Sequence, residues 1–319
     1  MRIRSFRIFF IILFSTIYLA GHSGPSRELL IRQDRFFGGP YSVTGHPYLI
    51  RGQVAYTGQD VFLSAFLHYQ VGDGEVHTTF FEEIGLNPHI PFYYQAETHW
   101  LPEVTGDYSI KVWFTGLNGA PEEEASSDTL TREITIYESL PARQLALLES
   151  FSSINCGSCA LVAPVLLEIV EGQPEEYVMI YYHPLAYEGS PLYAFNPKDQ
   201  TTRKMLYGVS YTPVAAIGST FFGGSFEVSH ELMALEKDKF AAFEMEGSYS
   251  VENDVLHASV SLEAFASFPE NNANTLLVTI TEDLVQFDTP PGSNGEKDFH
   301  HVMRSFLPDA NGTVLSPIT

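Results

Sequence analysis

Leu145-Ala-Leu-Leu-Glu-Ser-Phe-Ser-Ser-Ile-Asn-Cys156-Gly-Ser-Cys159-Ala-Leu-Val-Ala-Pro164 is the stretch that decides how this chain is read. It holds the only two cysteines of the 319 residues. An apolar run, Leu145 to Phe151, precedes them, and a helical pattern, Ala160 to Val170, follows. A strand that feeds a Cys-x-x-Cys at a helix N-terminus is a redox arrangement. The free first-turn N–H groups and the helix dipole stabilise a thiolate, so the first thiol ionises below the ~8.5 of a free cysteine. The second thiol stays within reach and can resolve a mixed disulfide.

Outward from the cysteines, the pattern gives a β-α-β unit: a strand at Ala146 to Phe151, a helix at Ala160 to Glu171 and a strand at Tyr177 to Tyr182. His183 to Gln200 is rich in Pro, Tyr and Gly and reads as an irregular insertion. Thr201 to Tyr207 is a short helix, Val214 to Ile217 a strand and Phe221 to Gly224 a turn region. A last helix, His230 to Phe243, starts at the N-cap Ser229. In Val209-Ser-Tyr-Thr212-Pro213, a proline stands just before a strand. In that place it can be a cis-proline against the disulfide, and Thr212 can offer backbone groups to an extended substrate.

The flanks are β. Between residues 29 and 138, period-two runs (Tyr48 to Tyr56, Val61 to Tyr69, Val76 to Phe81, Tyr108 to Phe114 and Leu130 to Tyr137) alternate with turn signals. This pattern predicts a β-sandwich of immunoglobulin or fibronectin type. Trp100 and Trp113 are expected to pack in its core. From 246 to 319 the chain reads as a second β region: Gly247 to Val251, Leu256 to Glu263, Asn274 to Glu282 and Phe299 to Leu307. A turn at Asp309 to Gly312 then leads into a hairpin with Thr313-Val-Leu.

Composition narrows the function. With 17 basic against 39 acidic residues, the net charge of -22 disfavours nucleic acid as a partner. The first 23 residues read as a secretory signal. Arg2, Arg4 and Arg7 form a basic n-region, Phe9 to Ala20 is an apolar h-region, and Ala20, Gly21 and Ser23 are candidate cleavage positions. The expectation is export to the periplasm, the outer membrane surface or the extracellular space, with no integral membrane span after cleavage. Disulfides persist there.

The residues from Leu145 to Phe243 resemble the thioredoxin superfamily. Cys156-Gly-Ser-Cys159, Pro164 in the following helix, Thr212-Pro213 and Gly223-Gly224 carry the resemblance. It implies an α/β thioredoxin-like domain, 143–245, flanked by the N-terminal immunoglobulin-like β-sandwich and the C-terminal β region. Cys156 would then be the attacking thiolate and Cys159 the buried resolving thiol. Pro213, with Thr212, would position the substrate, and Gly157 and Ser158 would tune the potential. Two positions depart from the pattern. Asn155 stands where an aromatic residue is usual, and Ser150 where a buried acid is usual; the adjacent Glu149 either takes over as proton acceptor or is pointed elsewhere by strand alternation. The order of parts also resembles the outer membrane protein 28-related family of bacterial envelope proteins. The residues carrying this are Leu148-Glu149-Ser-Phe, Tyr182-His183-Pro184, Pro191 to Asn196, Arg203, Tyr207 to Pro213, Thr281-Glu-Asp283 and Phe299 to Arg304. That family usually continues with further strands, so the C-terminal β region is expected to be incomplete or closed differently.

His183, at a strand end, is either a cap of the sheet edge or a base near the disulfide. His300, His301 and Arg304 read as structural hydrogen-bonding groups. No second cysteine pair supports zinc, so no metal and no cofactor are expected. Two functions follow. One is thiol–disulfide exchange on envelope or secreted proteins, with protein disulfides or dithiols as substrates and a redox partner that the sequence does not identify. The other is a non-enzymatic envelope or surface binding protein, in which the cysteine pair is a staple.

Overall fold

The structure is a computed structural model that describes residues 6–14, 30–121, 126–185, 189–253, 255–267 and 274–315. The chain divides into two compact units, Met1–Tyr18 with Pro141–Thr319, and Leu19–Leu140. Strand β1 (Phe6–Phe14) belongs to the first of these.

The unit Leu19–Leu140 holds β2 (Ile31–Phe36), β3 (Tyr41–Val43), β4 (Arg51–Tyr56), β5 (Ala65–Val71), β6 (Val76–Phe81), β7 (Pro91–Gln95), β8 (Gly106–Thr115) and β9 (Leu130–Tyr137). Two sheets form, ordered β2-β4-β7 and β3-β9-β8-β5-β6. Strand alternation turns Leu67, Ile110, Val112, Phe114, Ile134 and Ile136 inward, where they meet Ile50, Val54 and Phe62 in one core. Trp100 packs against that core, edge-on to Tyr48 and Tyr108. Trp113 points to the other face of β8 and stacks on His68.

The other unit continues with β10 (Ala146–Phe151), α1 (Gly157–Glu171), β11 (Tyr177–Tyr182), α2 (Pro191–Ala194), α3 (Pro197–Tyr207), β12 (Val214–Ile217), β13 (Phe221–Gly224) and α4 (His230–Lys237). β14 (Phe243–Glu252), β15 (Val255–Ala264), β16 (Asn274–Gln286), β17 (Asp298–Leu307) and β18 (Thr313–Val314) follow. β14 and β15 pair only with each other among the described strands. The rest form one sheet, ordered β1-β16-β17-β11-β10-β12-β13, with β18 also on β16. β10 and β11 run parallel with α1 between them, while β12 is antiparallel to β10.

This corrects the expected fold class. Strands take 45% of the described residues and helices 16%, so the chain is mostly β and is not an α/β thioredoxin-like fold with a separate C-terminal β region. The free edge of β11 is covered by β17, and β16 and β1 extend the sheet further. β17 is apolar on both faces: Met303 and Phe306 enter one core cluster, Phe299 and Val302 another. A strand buried on both sides belongs inside a sheet, not on top of one. Reading 246–319 as a separate flanking β region misses this, because edge pairing leaves no local signature.

Other details differ from expectation. The final helix ends at Lys237 and not at Phe243, which begins β14. The turn before Thr313 returns the chain to β16 and not to β17. Gly312, at φ +66°, makes that return possible: a Cβ there would lie 2.5 Å from the Leu276 carbonyl oxygen. Of the residues read as a secretory signal, Phe6–Phe14 pairs along β16, while Ala20, Gly21 and Ser23 lie outside the described residues. No helix among the described residues is long and apolar enough to cross a membrane.

Helix α3 is held by polar contacts. Its buried side chains are Asp199, Gln200 and Arg203. Arg203 Nε and Nη2 donate to the two oxygens of Glu149 on β10, each at 2.7 Å. Tyr182 and Tyr207 hydroxyls donate to the same carboxylate. Burial works against the Arg203 charge, and the Glu149 carboxylate together with Tyr207 and Tyr182 more than offsets it, so the guanidinium pKa is raised. Asp199 accepts from the Phe306 N–H of β17, and Gln200 Oε1 from the His183 N–H after β11. Removing one partner of a buried pair strands the other charge. Arg203→Met is therefore expected to lose about 3–5 kcal/mol of stability in urea unfolding. Glu149→Leu combined with Arg203→Met should regain most of it. A loss below about 1 kcal/mol for the single change would contradict this account.

Candidate functional site

Two segments meet at one end of the sheet. β10 pairs with β12 in the register Phe151↔Val214, which brings the loop after Phe151 beside the residues before Val214. The first loop leads to Cys156, the N-cap of α1. The second is Thr212-Pro213, whose peptide bond is cis. Cys156 and Cys159 form a disulfide with Cα atoms 5.2 Å apart.

The two sulfurs sit in different environments. Cys159 is fully buried, whereas Cys156 is half-buried beside exposed Gly157 and Ser158. Cys156 Sγ accepts from the Cys159 N–H at 3.1 Å and lies 3.3 Å from Ser158 Oγ. It also lies 3.7 Å from the Thr212 carbonyl oxygen. No acidic residue stands in the first turn of α1. Once the disulfide opens, these donors and the helix dipole favour a thiolate on Cys156. A reagent from solvent meets Cys156 first, and Cys159 acts only after it. The Ser225 N–H donates to the carbonyl of buried Pro213 at 3.3 Å, which ties this loop to the end of β13. At Gly157 a Cβ would meet nothing within 4 Å, so steric need does not explain the glycine.

Of the two readings of Glu149, the contacts favour the one in which it is turned to partners other than the disulfide. Its carboxylate is occupied by Arg203, Tyr182 and Tyr207, on the strand face that α3 covers. Ser150, its neighbour, has a buried hydroxyl without a hydrogen-bond partner. His183 is buried edge-on between Tyr181, at 4.8 Å, and Phe299, at 5.3 Å. Neither ring nitrogen has a hydrogen-bond partner. Burial pushes its pKa down to about 3, so it is a neutral ring in an aromatic box and not a base beside the disulfide. His300 and His301 lie 6.4 Å apart on β17, and Arg304 lies over the Phe195 ring and 3.3 Å from Glu282. Among the described residues, no group of three or more His, Cys, Asp or Glu side chains converges to hold a metal.

The sequence marks Thr289 to Glu296 as a long loop between the strands that become β16 and β17, but not that this loop reaches the Cys156 segment. Asn155, directly before Cys156, accepts through Oδ1 from Ser293 N–H at 2.9 Å and from Ser293 Oγ at 3.2 Å. Asn294 donates its N–H to the Ile154 carbonyl at 3.1 Å and its side-chain amide to the Ser153 carbonyl at 3.2 Å. The Pro-Pro-Gly-Ser-Asn-Gly composition signals a loop but not what it touches.

No protein-family model and no curated protein matches the chain. Among solved structures it is similar to the CARDB domain of the PF1109 protein from Pyrococcus furiosus, at 14% identity over 36% of this chain and 95% of that one, TM-score 0.26. It is also similar to HBP35 of Porphyromonas gingivalis, at 15% identity over 56% of this chain and 61% of that one, TM-score 0.37.

The His183 geometry has a pH signature. Its folded pKa is depressed from the usual 6.5 to about 3, so below pH 6.5 the unfolded chain takes up a proton that the folded one does not. The contribution is fully present above pH 6.5 and is lost as pH falls toward 3, at up to ~1.4 kcal/mol per pH unit. His183→Phe should flatten the fall in urea midpoint between pH 6.5 and 4.5. Identical slopes for the two proteins would refute this.

Proposed function

We propose that the protein exchanges disulfides with polypeptide thiols through Cys156 and Cys159. The observation that carries the reading is the asymmetry of the pair: a half-exposed sulfur at a helix N-terminus, bonded to a fully buried one, with the Thr212 carbonyl oxygen 3.7 Å away.

In the reducing direction, the Cys156 thiolate attacks one sulfur of a substrate disulfide. A Cys156–substrate disulfide forms and a substrate thiolate leaves. The Cys159 thiol gives up its proton to solvent and attacks Cys156 Sγ, which releases the second substrate thiolate and restores the Cys156–Cys159 disulfide. Two electrons pass to the substrate, and its two thiolates take protons from water. The oxidising direction is the same sequence reversed.

The surroundings suit an unfolded polypeptide. Leu161 on α1, Tyr211 beside Thr212, and Phe226 next to the Ser225–Pro213 contact are all exposed apolar side chains. Such side chains attract apolar segments, which in folded proteins are covered. The exported location and the kinship with the outer membrane protein 28-related family belong to this proposal. They are supported by the basic and apolar N-terminal pattern and by the motif residues quoted above.

Trapping tests it. Cys159→Ser, reduced and mixed with an unfolded polypeptide bearing a disulfide, should accumulate a mixed disulfide at Cys156 that non-reducing electrophoresis and mass spectrometry detect. Cys156→Ser should accumulate at least about tenfold less, because Cys159 is buried. Equal trapping by both variants, or by neither, would assign the pair to a structural staple in a binding protein.

A further inference from the structure

The loop between β16 and β17 reaches back across more than a hundred residues of sequence to the segment that presents Cys156. It is a stiff loop. The Phe287 N–H to Lys297 carbonyl bond closes its base, and the Lys297 ammonium donates to the Asp288 carbonyl. Asn294 and Glu296 bond each other, side chain to side chain and side chain to backbone. Residues 292–294 then contact Ser153, Ile154 and Asn155 through four hydrogen bonds and one close approach. The approach is at Gly292, where a Cβ would lie 2.3 Å from the Ile154 carbonyl oxygen and 2.7 Å from its carbon. The Ile154 backbone leaves no room for a side chain there.

Resting on the exchange reading, we infer that Asn155 and residues 292–294 form a clasp that positions the Cys156 loop and so sets the redox poise of the pair. While the disulfide is closed, the S–S bond itself fixes Cys156 against Cys159. In the dithiol that bond is gone, and the loop from Ser152 to Asn155 gains whatever freedom its other contacts allow. Ser152 is tied to β11, its N–H donating to the Tyr182 carbonyl and its hydroxyl accepting from the Tyr181 hydroxyl; beyond it, the local Cys156 N–H to Ser153 carbonyl bond and the Asn155 N–H to Ser153 hydroxyl bond move with the loop. The bonds from residues 292–294 come from outside and do not. They keep the two sulfurs close, raise the effective concentration of one thiol at the other and favour the closed disulfide. Asn155 is thus a positioning residue. Its side-chain carbonyl is the acceptor that the clasp requires, which accounts for a short polar side chain directly before the first cysteine.

The test is an equilibrium titration of the full chain with reduced and oxidised dithiothreitol, following Cys156 and Cys159 by thiol alkylation. The proteins are the wild type, Asn155→Ala, Gly292→Ala, the double variant, and Thr289→Ala as an exposed control outside the clasp. Each single clasp variant should weaken the disulfide about three- to tenfold, which is about 15–30 mV toward more oxidising potentials for a two-electron couple. The double variant should shift no further than the larger single one, because both changes open the same clasp. The control should not move. A constant within about twofold of the wild type for Asn155→Ala, or fully additive shifts, would overturn the inference. If Gly292→Ala fails to fold, Ser293→Ala replaces it and should give a smaller shift, since only the hydroxyl contact is lost. Dithiothreitol reads the stability of the pair whether or not the protein catalyses exchange. Failed trapping with an intact clasp effect would therefore sink the exchange reading alone, and the converse would sink the clasp alone.

Discussion

The buried pairing of Arg203 with Glu149 fixes both halves of the disulfide site at once. Glu149 lies on β10, the strand that runs into the Cys156 loop, and Arg203 lies on α3, the helix that runs into Thr212-Pro213. A bidentate guanidinium–carboxylate contact tolerates little sliding or rotation, so the two segments arrive at the sheet end in one relative position. Tyr182 on β11 and Tyr207 on α3 complete the carboxylate's bonding. Such a pair contributes less net stability than its geometry suggests, because both charges leave water. What it supplies here is position.

That position separates the duties of the two cysteines. One sulfur lies partly in solvent at the positive end of a helix, and the other is covered by it. The acidic surface, with a net charge of -22, makes the helix N-terminus a local exception to the prevailing field. The clasp from residues 292–294 adds a constraint on the remaining side, so Cys156 and the loop before it are bracketed by the Thr212-Pro213 loop at Cys156 and by the β16–β17 loop at Asn155.

The sequence was most legible where the physics is local. The start of α1 after Cys156, the Ser229 N-cap of α4 and the alternating strands of the first β unit follow from caps and periodicity. The fold class was misread because strand partners are chosen over long separations. β11 pairs with β17 across about 120 residues, at Tyr181↔Val302, and nothing near either strand announces the other. The role of Glu149 stays open in the sequence for a related reason. Alternation placed it correctly on a strand, but which face carried its partner depended on α3. That helix has no apolar stripe, and its buried face is Asp199, Gln200 and Arg203. A polar helix between two strands was the available clue that a polar partner was waiting in the sheet. His183 and the 292–294 contacts are likewise products of packing, invisible to spacing.

The measurement that tests the central claim most directly is the reduction potential of Cys156–Cys159 in the folded wild-type protein, taken in glutathione buffers. A working exchange pair is expected to come to equilibrium without denaturant, at about -270 to -120 mV. A value below about -300 mV, or a disulfide that glutathione opens only after unfolding, would contradict the account and leave the pair as a structural staple.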